Sequence, residues 1–480
     1  MSDRLTRRGG SPRSIESRGS MRPTRWRRST HVAVGVAVLA LVVAVVAAAA
    51  LFTGKHSDAA EAVPPAPPPA TADPGVVPVD LSAPTPTRRG LATALAAALA
   101  NPDLGLITGR ITDADTGAEL WEQGARVPMQ PASVNKVLTT AAALLTLDRD
   151  ARLTTTVVAA DDQPGLVVLR GGGDTTLSAA PKGTDTWYKG AARISDLADQ
   201  VRARGIRVTR VRVDTSAYSG PTMAPGWDPA DIDGGDIAPM ESVMLDGGRT
   251  QPTTVESRRS KSPALDAGKA LAAALGVEPE SVTLMPSGMR GGTTIAEVQS
   301  APLIERLRQM MNESDNVMAE SIAREVAEAL GRPQSFEGAV GAVLTQLRSV
   351  GIDTSGAKLV DSSGLSVDNR LTALTLDEVV NAAAGHTQPA LRPLVDLLPI
   401  AGGSGTLSNR YLDTDAGRAA AGWLRAKTGS LTGTNALAGI VTDRSGRVLT
   451  FALISNNAGP TGRTAIDALA AVLRSCGCGA

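Results

Sequence analysis

Three short elements follow one another along the chain: Ser133-Val134-Asn135-Lys136, Ser314-Asp315-Asn316 and Lys427-Thr428-Gly429. A serine hydroxyl is a poor nucleophile until a neighbouring base takes its proton. Ser and Lys three apart on a helix share one face, so the heads of Ser133 and Lys136 can meet at a helix N-terminus. Pro131 suits a helix start just there, and the helix dipole favours negative charge developing at that end. Lysine serves as the base when burial and a positive neighbour depress its pKa, and Lys427 is an available second cation. Lys427-Thr428-Gly429-Ser430 leads into an apolar run that reads as a strand. An edge strand can pair with a substrate backbone, and a glycine lets that backbone come close. Lys427 and Thr428 then suit a terminal carboxylate, and the backbone N–H groups of Ser133 and Ser430 an oxyanion hole. Each element alone recurs by chance. All three, in this order and in suitable local context, point to acyl transfer through a serine.

The elements that must carry these residues are legible in outline. Leu91–Ala100 reads as a helix, followed by two strands around a turn at Asp115-Thr116-Gly117. A helix is expected from about Ser133 to Leu147. Residues 152–295 alternate short β runs with Gly/Pro/Asp-rich loops, helical periodicity returns over 301–350, and a β hairpin and a helix close the chain. Helices before and after a β-rich centre suggest an α/β domain split by an insertion. That insertion, about 161–295, has neither a histidine nor a further S-x-x-K, so it is expected to shape substrate access and take no part in bond breaking. Gly171-Gly172-Gly173-Asp174 lacks the following helix and Lys-Ser/Thr of a phosphate loop, and reads as a turn after a strand.

Formal net charge is zero, yet nine arginines and two acids fall in residues 1–30, so no basic folded domain remains and nucleic-acid binding is not expected. Aromatic residues make up 2% of the chain, so the core must rest on Ala, Val, Leu and Ile. His31, His56 and His386 are the three histidines, too few in any folded region for a zinc site or a histidine triad; no metal and no cofactor are expected. Cys476 and Cys478 cannot make a disulfide framework and read as an incidental tail. Residues 32–52 are uncharged and apolar, long enough as a helix for roughly 31 Å at about 1.5 Å per residue. With arginines before it, this stretch is expected to be a single-pass membrane anchor with everything after it extracytoplasmic, a cleaved signal peptide being the alternative. The organisation expected is an Arg-rich tail (1–30), the anchor (31–52), a Pro/Ala-rich spacer (53–88) and a catalytic domain in two parts (89–160 and 296–480) around the insertion (161–295).

The three elements resemble those of the penicillin-recognising serine transferases, in which S-x-x-K, S-x-N and K-T-G line one cleft. About 180 residues separate Ser133 from Ser314, a long insertion similar to that of the class C low-molecular-mass penicillin-binding proteins, the D-alanyl-D-alanine carboxypeptidase/endopeptidase family. Leu169–Asp174, Asp361–Ser366 with Asn369–Thr372, and Leu398–Gly402 before Gly405–Leu407 fit the same family, over roughly residues 90–475. The resemblance implies a transpeptidase-like α/β fold with an antiparallel sheet and helices on both sides. It further implies that Ser133 attacks the carbonyl between the last two D-alanines of a peptidoglycan stem peptide with Lys136 as base. Ser314 then relays the proton to the leaving D-alanine, Asn316 positions Lys136 and the acyl group, and β-lactams act as inhibitors. D,D-endopeptidase action at the same site is compatible. A non-hydrolytic β-lactam or muropeptide sensor and a β-lactamase are the alternatives. Asp361 and Arg370, near these motifs, are expected to be structural.

Overall fold

Thr87 opens the first helix of the catalytic unit, its hydroxyl accepting the Gly90 N–H, and α1 (Arg88–Leu99) buries Leu91 and Leu95 one turn apart. In the computed structural model the described residues are 39–45, 79–286 and 292–476. They fall into two units, Met1–Val76 and Val77–Ala480, and everything below concerns the second unless stated.

The sheet that carries the catalytic motifs has strand order β2-β1-β10-β9-β8, all antiparallel: β1 (Leu106–Asp113), β2 (Glu119–Gln123), β8 (Leu424–Leu431), β9 (Thr434–Thr442) and β10 (Val448–Asn456). Side chains alternate across it with the period of two that a strand imposes. Leu437, Val441, Leu449, Phe451 and Leu453 face α1 and the C-terminal helix α9 (Gly462–Ser475). Ala436, Ala438, Ala452 and Ile454 face a helical layer. That layer is α2 (Lys136–Thr146), α5 (Leu303–Glu313), α6 (Asn316–Ala329), α7 (Phe336–Ser349) and α8 (Ala373–Ala384). Small alanines on both sides let helix and sheet backbones come close, which is how a chain with few aromatic residues packs its interior. This is the expected α/β architecture, an antiparallel sheet with helices on both sides.

A second sheet, drawn from residues 154–299, has the order β6-β5-β4-β3-β7. Its strands are β3 (Thr154–Ala159), β4 (Leu166–Arg170), β5 (Arg210–Asp214), β6 (Thr283–Leu284) and β7 (Thr293–Gln299). β4, β5 and β6 pair in parallel, whereas β3 is antiparallel to β4 and β7. Helices α3 (Ile194–Ala203) and α4 (Pro263–Leu275) close its core of Val157, Leu169, Val211, Val213 and Leu271. A further small core joins Trp227, Ile237, Met240 and Met244 to Val317, Phe336 and Leu365, fastening this region to α6, α7 and the loop after residue 360.

The expected membrane anchor over 32–52 is corrected. Among the described residues no helix is long and apolar enough to cross a membrane. Within that segment the described residues are 39–45, all of them helical. The single-pass topology, the membrane contact and the membrane localisation fall with it. The rest of that segment, the Arg-rich tail, residues 53–78 of the spacer and Cys478 lie outside the described residues. Where the spacer meets the catalytic unit the chain lies against it: the Leu81 carbonyl accepts from Arg447 and the Pro84 carbonyl from Ser445. Cys476 is buried and disulfide-bonded, not an incidental tail residue.

Candidate active site

A tight turn delivers the first motif. Ala132 stands at φ +50°, a conformation unusual for a residue with a side chain. A single 3₁₀ turn, Ala132–Asn135, then runs into α2, leaving Ser133 half-buried at the mouth and Lys136 fully buried one turn below. The helix thus begins slightly later than Ser133, and the expected facing of Ser133 and Lys136 holds: Lys136 Nζ donates to Ser133 Oγ at 3.0 Å. It also donates to Asn316 Oδ1 at 2.6 Å and to the Ser363 carbonyl at 2.8 Å.

The second motif is a helix-to-helix joint. Ser314 ends α5 in the left-handed region (φ +58°), which turns the chain sharply enough for Asp315 to cap α6 by accepting the Met318 N–H. Asp315 also accepts the Tyr188 hydroxyl at 2.6 Å, and Asn316 Nδ2 donates to the Asp236 carbonyl at 3.0 Å. The third motif lies on β8, an edge strand as expected. Lys427 Nζ donates to Ser314 Oγ at 2.9 Å and to the Thr428 carbonyl at 2.8 Å, and the hydroxyls of Thr428 and Thr406 share a hydrogen bond of 2.8 Å. All eight sequence-predicted residues therefore converge on one region. Ser133, Ser314, Asn316, Thr428 and Ser430 line a cleft of about 780 Å³, with Lys136, Lys427 and Gly429 in its wall.

Gly429 also has close neighbours within the chain. A Cβ there would lie 2.7 Å from the Pro131 carbonyl oxygen and 3.1 Å from the Ser133 amide nitrogen. The missing side chain makes room for the turn that carries Ser133, and it sets the Ser133 N–H against β8.

The two lysines have unusual proton affinities. Burial pulls Lys136 down to about 8, against the carboxylates of Asp361, Asp315, Glu320 and Asp236, which favour its ammonium form. Burial holds Lys427 well below the ordinary lysine range, and repulsion from Lys136 and Arg410 adds to the effect. A lysine poised near neutrality, in contact with a serine hydroxyl, can accept its proton.

Several contributors carried no sequence signature. The Ser363 and Asp236 acceptors are backbone carbonyls, which any residue supplies. Glu320 had a signal: it follows Asn316 by four residues and precedes Arg324 by four, one stripe along α6. Asp361, fully buried, accepts from Gly364 N, Ser366 N, Asn369 Nδ2 and Trp227 Nε1, all at 2.7–2.8 Å, and so organises the loop beside Lys136. Arg370 is exposed and binds the carbonyls of Val367 and Asn369. His386 is exposed and pairs with Asp115, away from the cleft lining. Among the described residues no group of three or more His, Cys, Asp or Glu is arranged to hold a metal ion.

The family model described as "D-Ala-D-Ala carboxypeptidase 3 (S13) family" matches residues 91–258 and 253–475. A second model, "Carboxypeptidase Rv3627c-like, N-terminal domain", matches residues 21–78. Carboxypeptidase Rv3627c of Mycobacterium tuberculosis is 65% identical over 460 residues, 95% of this chain and 100% of its own length. The D-alanyl-D-alanine carboxypeptidase of Actinomadura sp. is 29% identical over 453 residues, covering 78% of this chain and 82% of that one. Among solved structures, penicillin binding protein 4 (dacB) from Haemophilus influenzae aligns with a TM-score of 0.64 at 23% identity, over 80% of this chain and 97% of that one. That likeness supports the fold.

Proposed function

The chain belongs to the D-Ala-D-Ala carboxypeptidase 3 (S13) family and is a serine D-alanyl-D-alanine carboxypeptidase, and from that premise we propose that its acyl-enzyme forms on Ser133. The observation that carries the assignment is the 3.0 Å contact between Ser133 Oγ and the buried Lys136 Nζ. Neutral Lys136 takes the hydroxyl proton as Oγ attacks the carbonyl of the penultimate D-alanine. The N–H groups of Ser133 and Ser430 receive the developing oxyanion. Ser314, held by Lys427, relays the proton taken up by Lys136 to the nitrogen of the departing D-alanine, receiving one as it gives one, and the C–N bond breaks. Asn316 keeps Lys136 in place through its 2.6 Å hydrogen bond. Thr428 and Ser430 take the terminal carboxylate, with the positive charge of Lys427 behind them. Water then reverses the sequence and releases the shortened peptide.

Residues about 161–295 form an accessory region inserted in the catalytic domain, and the same cleft opens D-alanyl cross-links as an endopeptidase. Its volume of about 780 Å³ supports this, being near the upper end of the roughly 300–1,000 Å³ typical of ligand pockets. Mass spectrometry of muropeptides treated with the full chain tests the reading. Pentapeptides should lose one alanine and dimers should fall to monomers. Pentapeptides left intact would overturn the carboxypeptidase assignment, and dimers left intact the endopeptidase one.

A further inference from the structure

We propose that Glu320 is a positioning residue for acylation, fixing the Ser362–Ser363 segment so that the Ser363 carbonyl holds the Lys136 ammonium. The proposal rests on the reading of Lys136 as base, and on geometry that this reading does not use. Glu320 is fully buried, one turn beyond Asn316 on α6. A single oxygen, Oε1, accepts two consecutive backbone N–H groups, Ser362 at 2.8 Å and Ser363 at 2.7 Å. The carbonyls of the same two residues point the other way, into α2: Ser362 O accepts Thr139 Oγ1 at 2.7 Å and Ser363 O accepts Lys136 Nζ at 2.8 Å. Glu320 thus holds the two residues from their amide side, while the peptide that offers the Ser363 carbonyl to Lys136 has its own N–H, that of Gly364, on Asp361 Oδ1 at 2.8 Å. By fixing Ser362 and Ser363, Glu320 fixes where the Ser363 carbonyl stands without touching Lys136 itself.

Arg324, one turn further on, ion-pairs with Glu320 at 3.4 Å and lies over the rings of Phe336 and Tyr218. A carboxylate buried only as an ion-pair partner would stabilise the fold at best weakly, because desolvation offsets the attraction. Two amide donors on one oxygen give it a further task. Burial and the nearby Asp361 carboxylate push Glu320 up to about 7, so it is charged in the range where Lys136 begins to lose its proton. Lys136 is faced by Asp361 from the loop, by Asp315 and Glu320 from α6, by Asp236 from the inserted region and by Lys427 from β8. Removing the Glu320 charge deletes one of the attractions that favour the ammonium. Lys136 should then deprotonate at lower pH.

The test is the rate constant for acylation by penicillin as a function of pH in the full chain, with initial binding and thermal stability recorded alongside. Glu320→Gln keeps an oxygen for both amides and loses the charge; its rising limb should move toward acid while initial binding stays unchanged. Glu320→Ala also frees the loop and should lower the acylation rate constant between about 10- and 100-fold, part of the ~10²–10⁴ that a positioned base contributes. A purely structural role would shift thermal stability in both variants and leave rate constant and pH limb at wild-type values, and that result overturns the proposal. Should the alanine variant not fold, the glutamine variant decides alone, since an unmoved limb overturns and an acid shift supports. Failure of the underlying reading shows separately, as wild-type acylation by Lys136→Ala whatever the Glu320 variants do.

Discussion

Two buried lysines, each on a serine hydroxyl, give the site its pH behaviour. Lys136 is pulled to about 8 by burial, and Lys427 also lies below its ordinary range, from burial and the nearby positive charge. The base form of Lys136 grows as pH rises, so acylation by penicillin should climb through about pH 8 and not fall across that window; stopped-flow rates between pH 6 and 9 check the sign. Peptide mapping should place one adduct on Ser133, and Ser133→Ala should abolish it with little change in melting temperature. Lys136→Ala should slow acylation by ~10²–10⁴ while weakening initial binding far less, the pattern of a group acting in the transition state. An adduct on Ser314 would reverse the roles. These side chains were legible in the sequence because their chemistry is tied to residue type and spacing. Their acceptors were not, since the carbonyls of Ser363 and Asp236 arrive by tertiary packing from residues 227 and 80 positions away along the chain.

β8 and the turn before α2 must approach at van der Waals distance, and Gly429 is where they do. A methyl there would meet the Pro131 oxygen at 2.7 Å, a contact that backbone on both sides cannot easily relieve. Gly429→Ala should therefore cost about 1–3 kcal/mol in stability. It should also lower acylation more than tenfold, by moving the Ser133 N–H away from the strand; denaturant melts and acylation rates of the same preparation would show both. Gly364 does the same from the other side, at φ +85° with its Cβ position 2.0 Å from the Ala132 oxygen. Local elements were readable from the sequence: the hairpin of β9 and β10 and the helices α5 and α9 follow from periodicity. The pairing of Thr154–Ala159 with Thr293–Gln299 was not, because the partners are far apart in the chain and neither run names the other. The apolar run 32–52 misled for a related reason. Hydropathy describes composition, whereas a spanning helix also requires length, and among the described residues no helix is long and apolar enough to cross a membrane.

At the scale of the molecule, the region of the second sheet is more than a shape around the cleft. From the sequence the insertion is expected to shape substrate access and take no part in bond breaking, having neither a histidine nor a further S-x-x-K. It also hydrogen-bonds the catalytic part, through Tyr188 to Asp315, the Asp236 carbonyl to Asn316 and Trp227 to Asp361 among other contacts. An indole or a phenol in a β-rich stretch reads as core, and only the fold reveals that its polar atom reaches a loop more than a hundred residues away. Trp227 is the cleanest probe of this coupling. Its ring is buried and meets Phe336 edge-on at 5.0 Å, while Nε1 donates to Asp361 Oδ2 at 2.8 Å. Trp227→Phe keeps most of the apolar contact and removes the donor. Asp361 retains Gly364 N, Ser366 N and Asn369 Nδ2, so the fold should survive at a cost of about 1–3 kcal/mol. The loop that Asp361 organises also presents the Ser363 carbonyl to Lys136, so acylation should fall severalfold while initial penicillin binding is unchanged. Acylation kinetics and a thermal melt on the same variant decide the matter. A destabilised protein that acylates at the wild-type rate would mean that the region of the second sheet supports the fold alone, whereas slower acylation at unchanged binding would mean that it helps to hold Lys136.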